Sequence, residues 1–297
     1  MRAILLGLWL MVLGLPSWAE APKVVVDIAP VHALVAMVMG DVGTSVLLLP
    51  QGADAHDFQL RPSQAGDLDA ADAVIWMGPD MSPWLERSLR GLGRDGGLAL
   101  LDAPQTVTRP FADQDGDAHD HSHGAVDPHA WLNPENAQVW VGLIADVLAK
   151  ADPAQASVYR ANADAARLEV MRIEAEVTAR LAPVATKPFV VMHDAYGYFA
   201  GHFGLNVVGS LRNGDAALPG AAHLAALQNK VLTSGAVCLF PEANHNDSSA
   251  QQMAQATGLR LGAALDPEGS TLTPGADLYG ALMMELAQGL ADCLSVQ

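Results

Sequence analysis

Short runs of β-branched and apolar residues alternate with helical segments in two separate stretches of this 297-residue chain. Alternation of this kind is typical of βαβ units, in which helices connect parallel strands. The pattern therefore predicts an α/β protein with parallel sheets. The predicted strands cover residues 23–27, 44–49, 73–77 and 98–101 in the first stretch, and 187–192, 205–208, 236–240 and the region near Leu261 in the second. The predicted helices cover residues 31–39, 63–71, 84–92, 136–150 and 279–293.

A long helical segment separates the two stretches. Helical periodicity runs over residues 154–181 without a Gly or a Pro, and apolar residues recur at three- and four-residue steps, so one face should be buried. A helix of roughly 28 residues is about 42 Å long. We therefore predict an N-terminal α/β lobe (residues 20–152), a connecting helix (153–183) and a C-terminal α/β lobe (184–297).

The N-terminus has the layout of a secretory signal peptide. Arg2 supplies a positive charge, residues 3–16 are almost wholly apolar, and Ser17 and Ala19 are small residues at the positions that precede a cleavage site. The apolar run is shorter than the ~20 residues that a membrane-spanning helix needs. We predict that residues 1–19 are removed and that the mature chain is exported.

The charge balance limits the classes of partner. The chain has 16 Lys and Arg against 33 Asp and Glu, which gives a net charge of −17 at pH 7. This field repels a phosphate backbone, so nucleic acid is not expected as a partner. Cations are attracted to it, although bulk charge names no particular ligand.

Residues 112–128 form an acidic, His-rich segment without helical or strand periodicity, and we predict a loop. Its three closely spaced histidines are His119, His121 and His123. Alternate imidazoles on a loop can hold a metal weakly, which would make this an auxiliary metal site. The other interpretation is a solvated acidic loop with incidental histidines.

Four metal-binding side chains lie at related places in the two stretches. His56, His193 and Asp266 follow predicted strands, and His129 follows the His-rich loop. Open α/β sheets bind ligands at the carboxyl ends of their strands, so these residues could meet only in the cleft between the lobes. Three neutral imidazoles and one carboxylate suit tetrahedral Zn²⁺, whereas Mn²⁺ would be better served by a second carboxylate.

Cys238 and Cys293 are the only two cysteines of the chain. In an oxidising compartment two cysteines of one chain often pair, and the alternative is two separate buried thiols. They lack the CxxC spacing of a zinc site.

Four segments of the chain, QGADAHDF, DPHAWLNP, MHDAYGYF and LDPEG, resemble in this order the motifs of the zinc and manganese solute-binding proteins of ABC importers, the ZnuA/TroA-like group. The resemblance covers nearly the whole mature chain. It implies two βα lobes joined by a rigid helix, with a metal in the cleft between them. The ligands that it implies are His56, His129, His193 and Asp266.

The resemblance also bears on metal choice and on the fourth ligand. A histidine at the third position, here His193, is typical of zinc-type members, whereas manganese-type members often have Glu. Glu242 and Asp54 are rival carboxylate donors to Asp266. The pair Cys238 and Cys293 is similar to the disulfide in the C-terminal lobe of zinc-type members.

One residue departs from the family pattern close to the first ligand. Ala55 stands where relatives usually have Pro before the first histidine, and we expect this change to loosen the turn.

The function that these observations predict is periplasmic capture of Zn²⁺ and its delivery to an inner-membrane ABC permease. The chain would act as a monomer without covalent chemistry, and a zinc metallochaperone is a further candidate partner. A manganese-selective protein of the same family is the first alternative. A zinc hydrolase is another, although no HExxH or GxSxG motif is present. An adhesin shares the family fold, but no lipid-attachment Cys follows the signal peptide.

Overall fold

Two four-stranded parallel sheets lie at the centre of the molecule. The structure, a computed structural model, describes residues 21–56, 58–111, 126–212, 220–243 and 247–296. The predicted signal peptide and the loop histidines His119, His121 and His123 lie outside these ranges. Both sheets, with helices around them and one long helix between them, confirm the α/β prediction.

The first sheet is built from strands β1–β4 and the second from β5–β8. The strands are β1 (Val24–Val26), β2 (Val46–Leu47), β3 (Ala73–Trp76), β4 (Leu98–Ala99), β5 (Phe189–His193), β6 (Val207–Arg212), β7 (Cys238–Phe240) and β8 (Arg260–Leu261). The helices are α1 (Ala29–Met39), α2 (Pro62–Asp69), α3 (Pro83–Gly91), α4 (Pro134–Ala151), α5 (Ala156–Leu181), α6 (Gly197–Phe203), α7 (Ala221–Ser234), α8 (Ser248–Thr257) and α9 (Leu278–Ser295).

The two sheets have the same topology. Their strand orders are β2-β1-β3-β4 and β6-β5-β7-β8, and every pair is parallel. In each sheet the second strand lies on one side of the first strand and the later strands lie on the other side. The strand order therefore switches between β1 and β3 in one sheet and between β5 and β7 in the other. Such switch points open a crevice at the carboxyl ends of the strands, where ligands bind.

Helix α5 is the predicted connecting helix. Its 26 residues extend about 39 Å at 1.5 Å per residue. Its buried side chains recur at steps of three and four: Tyr159, Ala163, Ala166, Val170, Ile173, Val177 and Leu181. Helices α4, α9 and α1 pack on α5, and apolar residues of both sheets belong to one continuous core around it.

Local sequence signals account for several helix ends. Helix α4 begins after Asn133, whose side chain accepts a hydrogen bond from the Glu135 amide, and Pro134 takes the first helical position. Helix α1 ends at Met39 and is followed by Gly40, which has a φ of 53° that favours glycine. A Cβ on Gly40 would lie 2.7 Å from Nδ2 of Asn162 on α5, so a larger residue would displace the side chain that donates to the Val38 carbonyl.

Three helices of the second lobe, α6, α7 and α8, were not assigned from the sequence. Their apolar stripes are weak, since α7 buries only Leu227 and Val231 and α8 only Ala250, Met253 and Ala254. Short helices with few buried side chains give little periodicity to read. Among the residues in the five described ranges, no helix combines the length and apolarity that a bilayer span requires.

The Cys238–Cys293 disulfide is present, as the resemblance implied. It joins β7, where Cys238 is fully buried, to the last turns of α9. The bond therefore ties the C-terminal helix to the second sheet.

The buried carboxylate of Asp27 connects the carboxyl ends of β1 and β3 through hydrogen bonds. Its oxygens accept hydrogen bonds from the Ile28 amide at 2.9 Å, the Met77 amide at 3.0 Å and the Ser82 hydroxyl at 2.8 Å. Burial raises the pKa of Asp27 from 3.8 to about 6, although these hydrogen bonds oppose the shift. The stability of the first lobe should therefore depend on pH.

We expect Asp27 to destabilise the native state as the pH rises through about 6. The native state binds the proton more tightly than the unfolded chain, because the pKa is about 6 in one and near 3.8 in the other. Stability is therefore lost as the pH rises across this window, by up to about 3 kcal/mol. Urea unfolding of the metal-free wild type and the Asp27→Asn variant, at about pH 4 and about pH 8, measures this contribution. The wild type should lose stability relative to the variant at the higher pH, and a constant difference would contradict the expectation.

Candidate metal centre

Three histidines from both lobes meet at one point. His56 lies in the loop after β2, His129 immediately precedes the short 3₁₀ turn Ala130–Leu132 and helix α4, and His193 is the last residue of β5. One imidazole nitrogen from each lies within 4.8 Å of the others. His129 and His193 are buried, and His56 is half-buried. The distant histidines of the sequence therefore form a single cluster.

The spacing of this cluster suits a tetrahedral ion. The Nε2 atoms of His129 and His193 are 3.4 Å apart. Two nitrogens bound to one tetrahedral Zn²⁺ at 2.0–2.1 Å lie about 3.3–3.4 Å apart. The His56 ring centroid lies 5.6 Å from that of His129 and 6.5 Å from that of His193, which places a third imidazole against the pair.

Carboxylates fix the orientation of two of the rings. Nδ1 of His129 donates to Asp127 at 2.8 Å, and Nδ1 of His193 donates to Glu242 at 2.6 Å. Because each carboxylate accepts from Nδ1, each ring presents its Nε2 lone pair to the centre, as in carboxylate–histidine–metal arrangements. Glu242, a rival fourth ligand on sequence grounds, therefore has an orienting contact, and it lies just beyond β7 at the switch point.

The turn that carries His56 is held by two hydrogen bonds. Asp54 Oδ1 accepts from the His56 amide at 2.8 Å, and the buried Ala55 carbonyl accepts from Trp84 Nε1 at 2.9 Å. These contacts hold the turn at the position where relatives usually have Pro. Asp54, the other rival donor, thus has one oxygen engaged with the backbone.

The Asp266 carboxylate accepts hydrogen bonds that close the turn of residues 266–271. Its Oδ1 accepts hydrogen bonds from the amide and hydroxyl of Ser270, both at 3.0 Å. Its Oδ2 accepts from the amide of Thr271 at 2.8 Å and from its hydroxyl at 2.7 Å. A carboxylate has about four lone-pair sites, and all four are used here.

The segment that follows Asp266 crosses to the first lobe. Trp131 Nε1 donates to the Pro267 carbonyl at 2.8 Å, and the Gly52 amide donates to the Ser270 carbonyl at 2.9 Å. Gln51 Nε2 adds bonds to the carbonyls of Thr271 and Leu272. The segment is thus held against both ligand-bearing loops of the first lobe.

Glu268, on this crossing segment, is a site residue that the sequence analysis missed. Its Oε1 lies 3.8 Å from Nε2 of His56, and only 13% of its side chain is exposed. Burial raises its pKa to about 8, while the nearby imidazoles of His129 and His193 oppose the shift. Its place in LDPEG, two residues after Asp266, was the one sequence signal that could have indicated it.

Comparisons with known proteins agree on one family. The family model described as ZnuA, the periplasmic component A of a zinc-uptake complex, matches residues 24–293. The high-affinity zinc uptake system protein ZnuA of Paracoccus denitrificans is 44% identical, over 95% of this chain and 94% of that protein.

Two solved structures have a similar fold. A ZnuA deletion mutant with zinc bound has a TM-score of 0.76 at 26% identity, over 94% of this chain and all (100%) of that chain. The SBP FpvC of P. aeruginosa, solved with Ni²⁺, has a TM-score of 0.78 at 20% identity, over 93% of this chain and 97% of that one. The second similarity concerns the fold alone.

Proposed function

Because the chain belongs to the ZnuA family of periplasmic zinc-uptake components, we propose that it captures Zn²⁺ in the periplasm and delivers it to the permease of an ABC importer. The single observation that carries this proposal is the convergence of His56, His129 and His193 from the two lobes. Each imidazole is a neutral donor, and together they form three corners of a tetrahedral site.

The donor chemistry supports zinc as the cargo. Imidazole donors suit Zn²⁺, whereas Mg²⁺ and Ca²⁺ require oxygen ligands and Mn²⁺ favours a larger share of carboxylates. A manganese-selective protein remains the alternative within the family, and the three-histidine set argues against it. The ligands must be deprotonated, so affinity should fall as the pH drops through the imidazole range.

We propose a transport role rather than catalysis. A catalytic zinc site needs an open coordination position and a general base beside it. Glu242, the carboxylate that could act as such a base, accepts a 2.6 Å hydrogen bond from His193 Nδ1. This contact commits Glu242 to orienting a histidine rather than to activating a water molecule beside the cation.

The cellular setting that we propose follows from the family. Residues 1–19 direct export and are removed, and the monomeric mature chain, with the lobe boundaries predicted above, meets the permease in the periplasm. The histidines His119, His121 and His123 act as an auxiliary site that assists loading, and a metallochaperone is a further candidate for that step.

The proposal is tested by competition between metals. Protein purified from the periplasm is analysed by native mass spectrometry, and the metal-free form is titrated with Zn²⁺ and Mn²⁺ against a chromophoric chelator. We expect one Zn²⁺ per chain and a clear preference for Zn²⁺ over Mn²⁺. Preference for Mn²⁺ would replace the proposed cargo, and failure to bind either ion would refute capture of a metal.

A further inference from the structure

We propose that Glu268 supplies the fourth ligand to the cation held by His56, His129 and His193, and that Asp266 positions Glu268 rather than binding the cation. This inference rests on the proposed function. It assigns the carboxylate donor to a residue two positions beyond the one that the family resemblance implies.

Distance and burial place Glu268 at the site. Its Oε1 is 3.8 Å from His56 Nε2. A carboxylate oxygen and an imidazole nitrogen bound to one tetrahedral Zn²⁺ would be about 3.3–3.4 Å apart, so Glu268 is close to this spacing from His56. Ligation would also bring its carboxylate closer to the other two imidazoles, and the three rotatable bonds of the Glu side chain provide that movement.

The other carboxylates around the centre already have structural roles. Both oxygens of Asp266 are saturated by the amides and hydroxyls of Ser270 and Thr271. Glu242 orients His193, and Asp127 orients His129. To coordinate the cation, Asp266 would have to abandon bonds that close its turn, at a cost of about 1 kcal/mol or more for each bond.

The backbone on either side of Glu268 is anchored to the first lobe. The Pro267 carbonyl accepts from Trp131, two residues after His129, and the Ser270 carbonyl accepts from Gly52, four residues before His56. The turn closed by Asp266 spans the same residues. The backbone of Glu268 is therefore held against the loops that carry His56 and His129, and Asp266 acts on the site through it.

Charge balance favours the same assignment. A carboxylate as buried as Glu268 is costly unless a counter-charge is near. Three neutral imidazoles bring no charge to a divalent cation, so one carboxylate ligand would lower the charge of the cation and its ligands to about +1, beside the carboxylates of Asp127 and Glu242 that contact the imidazoles. Cation and carboxylate thus each offset the cost of burying the other.

The first test compares the Glu268→Gln and Glu285→Gln variants. Glu285 is exposed on α9 of the same lobe, so its replacement makes the same chemical change away from the cleft. We expect Glu268→Gln to weaken Zn²⁺ binding at least about tenfold, since losing a ligand should exceed the smallest effect of losing a residue that only supports one. Glu285→Gln should leave the affinity unchanged.

Cobalt separates ligation from a through-space effect. Bound Co²⁺ should change its visible absorption spectrum in Glu268→Gln if the donor set changes, whereas a through-space effect leaves the donor set intact. A Zn²⁺ affinity within twofold of the wild type or an unchanged cobalt spectrum would each overturn the proposal.

A double-mutant cycle tests the role of Asp266. If Asp266 acts through Glu268, then Asp266→Asn weakens Zn²⁺ binding in the wild type and adds little in the Glu268→Gln background. Additive losses would instead make Asp266 an independent ligand and overturn its positioning role. Thermal unfolding of each metal-free variant checks that the fold is intact, and Gln at a buried position without a charge should not lower stability.

Failure of this inference is distinguishable from failure of the proposed function. If His129→Ala loses Zn²⁺ affinity and Glu268→Gln retains it, the three-histidine capture site stands and Glu268 is not a ligand. If neither replacement matters, the site itself has been placed wrongly.

Discussion

Replacing His129 with alanine is expected to weaken Zn²⁺ binding by at least about 100-fold. The loss of a residue that merely orients a ligand costs about 10–100-fold, and His129 is the ligand itself. Its ring is fully buried, and its Nε2 lies 3.4 Å from that of His193. Water that enters the vacated space is a weaker donor in a site built for imidazole. Competition titration against a high-affinity chelator measures the change.

Graded controls make this result specific. Asp127→Asn removes the carboxylate acceptor of His129 Nδ1 but keeps the ring, so it should weaken binding by about 10–100-fold. Asp146→Asn, an exposed position on α4, should have no effect. His202→Ala removes a histidine that pairs with Glu174 on the connecting helix, outside the cluster. Equal losses in His129→Ala and His202→Ala would refute the assignment of the site.

Removing the Cys238–Cys293 disulfide is expected to lower the free energy of unfolding by about 4 kcal/mol, the chain-entropy value for a loop of 55 residues. The bond restricts the conformations that the unfolded chain can adopt between β7 and α9. Reduction also leaves an unpaired thiol at Cys238, which is fully buried in β7. Urea unfolding of oxidised and reduced protein, both metal-free, gives the difference.

The double variant Cys238→Ala, Cys293→Ala provides the control for reduction. It removes the cross-link without leaving thiols that can re-form it, so it should reproduce the loss seen on reduction. Zn²⁺ affinity measured on folded protein should change much less than stability, because neither cysteine belongs to the histidine cluster. A stability difference under about 1 kcal/mol would show that the bond does not limit unfolding.

Much of the fold could be predicted from the sequence because its signals are local. The strand β1 is a run of three valines that is fully buried, and the buried stripe of α5 follows helical spacing over the whole of its length. Helices α7 and α8 were missed because they bury few side chains, and α6 was missed because its seven residues are too few to show a helical period.

The candidate site was likewise only partly predictable from the sequence. His56, His129 and His193 lie in motifs that can be recognised one at a time, and the structure brings them together. Glu268 also lies in a recognised motif, LDPEG, but nothing local in that motif distinguishes it from Asp266 as the carboxylate near His56. Its approach to His56 depends on contacts between residues more than 200 positions apart, such as those of Gln51 with the carbonyls of Thr271 and Leu272. Sequence position also did not distinguish a carboxylate that orients a ring, as Glu242 does, from one that lies beside His56, as Glu268 does.

The continuous core around α5 has a consequence for the relative movement of the two lobes. Helix α9 of the second lobe packs on both α5 and α1, so one apolar interior underlies both sheets. A hinge motion that separates the two lobes would expose that interior to water, at a cost of about 25 cal/mol for each Å² of apolar surface exposed. We therefore expect the two sheets to keep nearly the same relative position with and without a bound ion.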